Sequence, residues 1–192
     1  MTRSWRILTV GLCAAAAAVG CAKPQNMDPS AMKMPSRPAE LDRLESWVGT
    51  WQSTGEMKGA DGKTMHITGN STIGWECDRT VLVEKMEGTC EEMKEMKMMG
   101  MGVYTWDAHE KEYETAYYDN MGTAADGDMT YNESTKTWKM TGEGYNPMHG
   151  QNTHWVGEVK FPDSSTMEWT WATYDAWKMK KLEEGKGTAK RM

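Results

Sequence analysis

The chain has 192 residues and a net charge of −6 without a basic stripe, which argues against nucleic acid as a partner and leaves room for one domain with a real core. With one Phe against 19 Met and 10 Trp, that core has to be built from Trp, Tyr, Met, Val and Ile. Aromatic and β-branched residues favour strands, and Met leaves a pliable interior.

Residues 1–20 read as a secretory leader. Arg3 and Arg6 precede the apolar run Ile7 to Val19, and small residues follow it. The run is too short to span a bilayer, which takes ~20 apolar residues. Ala18-Val19-Gly20-Cys21 is similar to the bacterial lipobox, with Ala18 where leucine is usual. That similarity makes Cys21 the lipid-modified first residue of a mature protein anchored in the cell envelope. Ala22 stands where many proteobacteria place an inner-membrane retention Asp, which favours the outer membrane, facing the periplasm.

Residues 21–36 are polar and Pro-bearing and read as a flexible tether. The domain is expected over 37–192. Ser36 is placed to cap a short helix beginning near Arg37-Pro38, with Leu41, Leu44 and Val48 on one face and Gly49 ending it. Period-2 alternation then follows between turn signals at roughly ten-residue spacing. Strands are expected over 50–58, 63–76, 80–88, 101–106, 112–119, 124–131, 136–144, 153–161, 166–174 and 178–184, with 185–192 frayed. Short hairpins throughout predict an all-β fold, an up-and-down antiparallel barrel of about ten strands; a two-sheet sandwich is the competing arrangement. Charges such as Glu56, Lys58, Lys139, Glu158 and Lys160 would interrupt the lipid-facing band of a transmembrane barrel.

Cys77 and Cys90 are the cysteines left outside the leader and the lipobox. An oxidising compartment argues for a disulfide between them. The extended run Thr80 to Met86 argues against it, because a strand of that length holds its ends more than ~20 Å apart. Both readings stay open at this level.

The order of short motifs resembles a known family. Trp47-Val48-Gly49-Thr50-Trp51 follows a Leu-x-x-Leu helix. Met98 to Met101 leads into Gly102-Val103-Tyr104-Thr105-Trp106-Asp107. Tyr117 to Thr123 and Thr141-Gly142-Glu143-Gly144 come later. This set is similar to the DUF1579 proteins, a bacterial family of unknown function, over about residues 38–184. The resemblance implies a lipocalin-like barrel closed at one end by the N-terminal helix, with Trp51 packed across the floor and Gly49 turning the chain at positive φ. It implies no reaction.

Three chemistries are weighed. Tyr104, Trp106, Tyr117, Trp169 and Trp171 fall on strands and could line a pocket for a small apolar ligand. Cys90, Met93, Met96, Met98, Met99 and Met101 lie within twelve residues, with spacings suited to copper or silver. Among the histidines, His154 sits nearest to the late-strand haem ligand of nitrobindins, which are barrels of similar strand count. His66, His109, His149 and His154 form no zinc pattern. No nucleophile elbow, P-loop or dinucleotide fingerprint is present, so neither a catalytic residue nor a cofactor is expected. The reading reached is a non-enzymatic, lipid-anchored barrel that binds a small apolar ligand or an envelope partner, with the Met-rich metal site as the alternative.

Overall fold

A computed structural model describes residues 36–93, 95 and 97–192. The leader, Cys21, most of the tether and Met96 lie outside the described residues. Ten antiparallel strands form one closed ring: β1 (Gly49–Gly59), β2 (Thr64–Glu76), β3 (Val81–Cys90), β4 (Lys97–Asp107), β5 (Glu112–Asp119), β6 (Ala124–Asn132), β7 (Thr137–Asn146), β8 (Gln151–Asp163), β9 (Thr166–Asp175) and β10 (Lys181–Arg191). Each strand pairs with its sequence neighbours, and β10 pairs with β1 from Trp51↔Arg191 to Gly59↔Glu183. Closure leaves no sheet edge exposed.

Residues 185–192 are therefore not frayed. They complete β10, the strand that closes the ring. The fourth strand also starts earlier than its alternation suggested, at Lys97, so Met98 to Met101 are strand rather than loop. Both extensions follow from pairing: β10 has β1 and β9 as partners along its length, and Met98 and Met99 pair with Gly88 and Glu87.

The N-terminal helix is a 3₁₀ helix, Ala39–Trp47, and no side chain caps its start. At three residues per turn, residues spaced by three share a face. Leu41, Leu44 and Trp47 have that spacing and are all buried, so Trp47 takes the place expected of Val48. This helix plugs one end of the barrel. Tyr113 donates to the Glu40 carbonyl at 2.6 Å, Trp51 Nε1 to the Trp47 carbonyl at 2.8 Å, and Trp75 Nε1 to Glu45 at 3.0 Å. Gly49 has φ +145°, and a β-carbon there would strike the Arg191 guanidinium. That guanidinium donates to the carbonyls of Val48, Ser46 and Ser164 and lies over the Trp51 ring.

Cys77 and Cys90 do not pair. Both thiols are free, one exposed and one buried. Cys77 stands in the β2–β3 turn at the plugged end, whereas Cys90 ends β3 opposite Ile67, near the other end. The strand between them keeps them apart. Among the described residues no helix is long and apolar enough to cross a membrane.

Candidate functional site

Alternation along each strand divides the barrel interior into two levels. The level next to the plug is a packed core of Trp47, Trp51, Ile73, Leu82, Tyr104, Tyr113, Met129, Trp138, Val159 and Met167. Its aromatics interlock, with Trp47–Tyr104 ring centroids 5.1 Å apart, Trp106–Tyr113 4.7 Å and Tyr113–Trp138 4.9 Å. The level toward the opposite end is different. Met57, Met65, Ile67, Met86, Met98, Tyr117, Trp155, Trp169 and Trp171 share the inward parity of the core residues on their strands, yet are only half-buried. Inward side chains that still reach water mark an open mouth. The turns between β1 and β2, β3 and β4, β5 and β6, β7 and β8, and β9 and β10 surround it.

Inward glycines decide how those aromatics lie. A β-carbon on Gly185 would sit 2.5 Å from Trp171 Nε1, and one on Gly187 2.4 Å from the Trp169 ring. Gly55 faces the same Trp169 ring, Gly142 faces Trp155, and Gly100 faces the Tyr117 hydroxyl. Each ring leans over a glycine rather than standing out into the lumen, the packing by which an aromatic covers a bare stretch of sheet.

The carboxyl of Glu84 points inward. Glu84 lies on β3 between Leu82 and Met86, opposite Ile73 and Gly102. Tyr104 donates its hydroxyl to Glu84 Oε2 at 2.8 Å, and the Ser71 hydroxyl bonds the same carboxyl. Burial pushes the Glu84 carboxyl above its ordinary range and outweighs both hydrogen bonds, which pull it down. Burial, together with the Glu84 charge, raises the Tyr104 hydroxyl well above its usual value. Tyr117 is raised as well, by burial first and then by Asp119 and Glu84. A carboxyl that favours its neutral form can donate a hydrogen bond as well as accept one. On β8, inward-pointing Trp155 carries a buried Nε1 with no hydrogen-bond partner.

The pocket residues expected from the sequence all have inward parity. Tyr117, Trp169 and Trp171 belong to the open level, Tyr104 joins the two levels through Glu84, and Trp106 packs into the closed core against Tyr113. Glu84 was missed. Its signal was present, as a charged residue on the apolar face of Leu82 and Met86.

The sulfur cluster is divided between the two faces of the wall. Cys90 and Met98 have inward parity, whereas Met99 and Met101 are exposed on the outer face; Met93 lies in a single 3₁₀ turn, Glu91–Met93. Adjacent strand residues point to opposite faces, so the contiguous Met run does not converge on one ion. The Cys90 thiol instead donates to Glu92 at 3.3 Å. Among the described residues no three His, Cys, Asp or Glu side chains gather as a metal site.

His154 alternates outward, between inward-pointing Thr153 and Trp155, and bonds Thr141 at 3.3 Å. It therefore faces away from the lumen in which a haem would lie. Burial lowers its pKa. His66 is also outward and is held by Glu92, His109 is exposed in a turn, and His149 lies 3.4 Å from Glu183 at the rim.

A groove of about 950 Å³ lies on the outer wall, with Glu56, Lys139, Glu158 and Lys186 among its lining residues. Across it Lys139 pairs with Glu158 and Lys186 with Glu56, and Met140 and Trp171, of inward parity, also line it.

The model of the family described as "Protein of unknown function (DUF1579)" matches residues 37–180. No curated protein matches the sequence. Among solved structures, Rv2717c from M. tuberculosis is 10% identical, with a TM-score of 0.62, and the match covers 82% of this chain and 99% of that one. The S-type phycobiliprotein lyase CPES from Guillardia theta is also 10% identical, with a TM-score of 0.58 over 81% of this chain and 94% of that one. At such identity the likeness is one of fold, a lipocalin-like barrel.

Proposed function

The chain belongs to the DUF1579 family, and from that premise we propose that its barrel is a binding protein for a small, largely apolar molecule carrying one hydrogen-bonding group. The observation that carries this reading is a set of inward-parity Met and Trp side chains, only half-buried toward one end of the barrel, with the Glu84–Tyr104 pair beneath them. The apolar body of the ligand would displace water from the methionines and indoles, at roughly 25 cal/mol per Å² buried. Its polar end would meet Glu84 as donor or acceptor, or satisfy the orphan Trp155 N–H. Pliable methionines suit a family of related ligands rather than one shape. Binding rather than catalysis is proposed, because Glu84, Tyr104 and the Ser71 hydroxyl are engaged with one another. The site of action in this reading is the cell envelope, with the barrel held there by lipid on Cys21.

Native mass spectrometry of the chain purified from an envelope extract tests the reading. A single apolar adduct per chain is expected. It should be lost in Ala125→Trp, which adds an indole to the lumen from β6, while the far-ultraviolet circular dichroism stays that of the parent. A bare mass for the parent, with no saturable uptake of a fluorescent fatty acid, would overturn the proposal.

A further inference from the structure

The outer surface carries a second message, independent of what the lumen holds. Among the described residues, every exposed large apolar side chain except Met192 lies in the mouth half of the barrel. Strand register aligns several of them. Met101 is paired with Tyr118, Tyr118 with Ala124, and Ala124 with Tyr145, so these four outward residues form one row across β4, β5, β6 and β7. The row runs toward Met148 in the β7–β8 turn and the β9–β10 loop. At the tip of that loop Trp177 is 84% exposed and Met179 86%.

Charge is also distributed unevenly around the mouth. The sequence Trp177-Lys178-Met179-Lys180-Lys181 interleaves apolar and cationic side chains, all exposed, in a protein whose net charge is −6. Nearby, Lys58 stands at the end of β1, and Lys63 in the adjacent β1–β2 turn pairs with Asp61. Glu91 and Glu92 lie across the mouth, in the β3–β4 connection. Loop geometry keeps the tip projecting: Asp175 accepts the backbone N–H groups of Met179 and Lys180, and Lys178 takes φ +60°.

We propose that the mouth docks on an anionic phospholipid bilayer, leaning so that the β9–β10 loop enters first. Trp177, Met179 and Met148 bury in the headgroup–acyl boundary, Tyr118 and Tyr145 lie at headgroup depth, and Lys178 and Lys180 meet lipid phosphate. The row climbs across the tilted strands to the rim, from Met101 within β4 to Tyr145 beside the end of β7, so a barrel that leans can lay its rim members on a flat, fluid surface. Amphipathic aromatics and methionines set beside lysines are the side-chain chemistry of such an interface. The acidic β3–β4 side stays farthest from the lipid, which is why the barrel leans. In this arrangement the lumen opens toward the bilayer.

The test uses the full chain on vesicles, with an environment-sensitive fluorescent residue introduced at position 179, or at position 108 in a plugged-end turn as control. On vesicles containing phosphatidylglycerol, the probe at 179 should shift to the blue and be quenched several-fold more by acyl-brominated lipid than the probe at 108. Lys178→Glu with Lys180→Glu should abolish the difference, as should vesicles of phosphatidylcholine alone. Because the readout is depth at the rim, neither a leader nor a lipid anchor can imitate it, and an empty lumen leaves it unchanged. Equal quenching at 179 and 108 on the anionic vesicles would overturn the proposal. A difference that persists on phosphatidylcholine would overturn its electrostatic part.

Discussion

Glu84 is the residue on which the interior turns. A carboxyl raised by burial binds its proton more tightly folded than unfolded. Its contribution to stability is complete below the unfolded-state pKa and is lost as pH rises through the folded value. Glu84→Gln keeps an acceptor for the Tyr104 hydroxyl and removes the buried charge. The variant should melt with the parent at pH 4 and above it at pH 8, followed by circular dichroism. If the parent is the more stable at pH 8, the carboxylate is stabilised by something other than its described partners. Residue-level reading of the sequence went some way: parity placed Tyr117, Trp169 and Trp171 inside. It could not say which way the rings lie, because that depends on Gly185 and Gly187 of a neighbouring strand whose register emerges only from pairing.

At the level of elements, β10 and its last residues matter more than their composition suggests. Gly185, Gly187 and several lysines look like a fraying end, yet the segment supplies the closing ladder and Arg191. The Arg191 guanidinium ties the helix exit, the β8–β9 turn and the Trp51 ring together. Arg191→Ala should cost about 2 kcal/mol or more in urea unfolding, since three carbonyls lose a charged donor and an indole loses its cover. Arg191→Lys should recover only part, because an ammonium cannot reproduce the planar fork.

A second element, the rim clasp, responds to pH. His66 binds Glu92 through both its ring and its backbone N–H, which lowers Glu92 to about 2 and raises His66. The clasp is therefore whole from above pH 2 up to the ordinary histidine range, and it loosens as pH rises through the raised His66 value. Amide exchange over Glu91–Met93, corrected for its intrinsic pH dependence, should accelerate above neutrality in the parent and be pH-independent in His66→Gln.

For the whole molecule, the hairpin spacing between Thr50 and Tyr174 was enough to read a barrel, because short turns and alternating faces leave few other ways to bury one side of ten strands. What was not legible is the extent of the closing ladder: β1 pairs with β10 through Gly185 to Arg191, residues whose composition reads as a frayed end, and no local pattern records a pairing so distant in sequence. The closed ring also has a weakest point. Nine seams are long, but β5 is the shortest strand, and it meets β6 only from Tyr113↔Met129 to Tyr118↔Ala124. A ring without edges can breathe only by parting a seam, and the shortest one parts at least expense in hydrogen bonds. Native-state exchange should find the amides shared by β5 and β6 opening before those of β1 with β2 or β7 with β8. Such a gap in the side wall would let a guest wider than the mouth pass laterally, beside Tyr117 and within reach of Glu84.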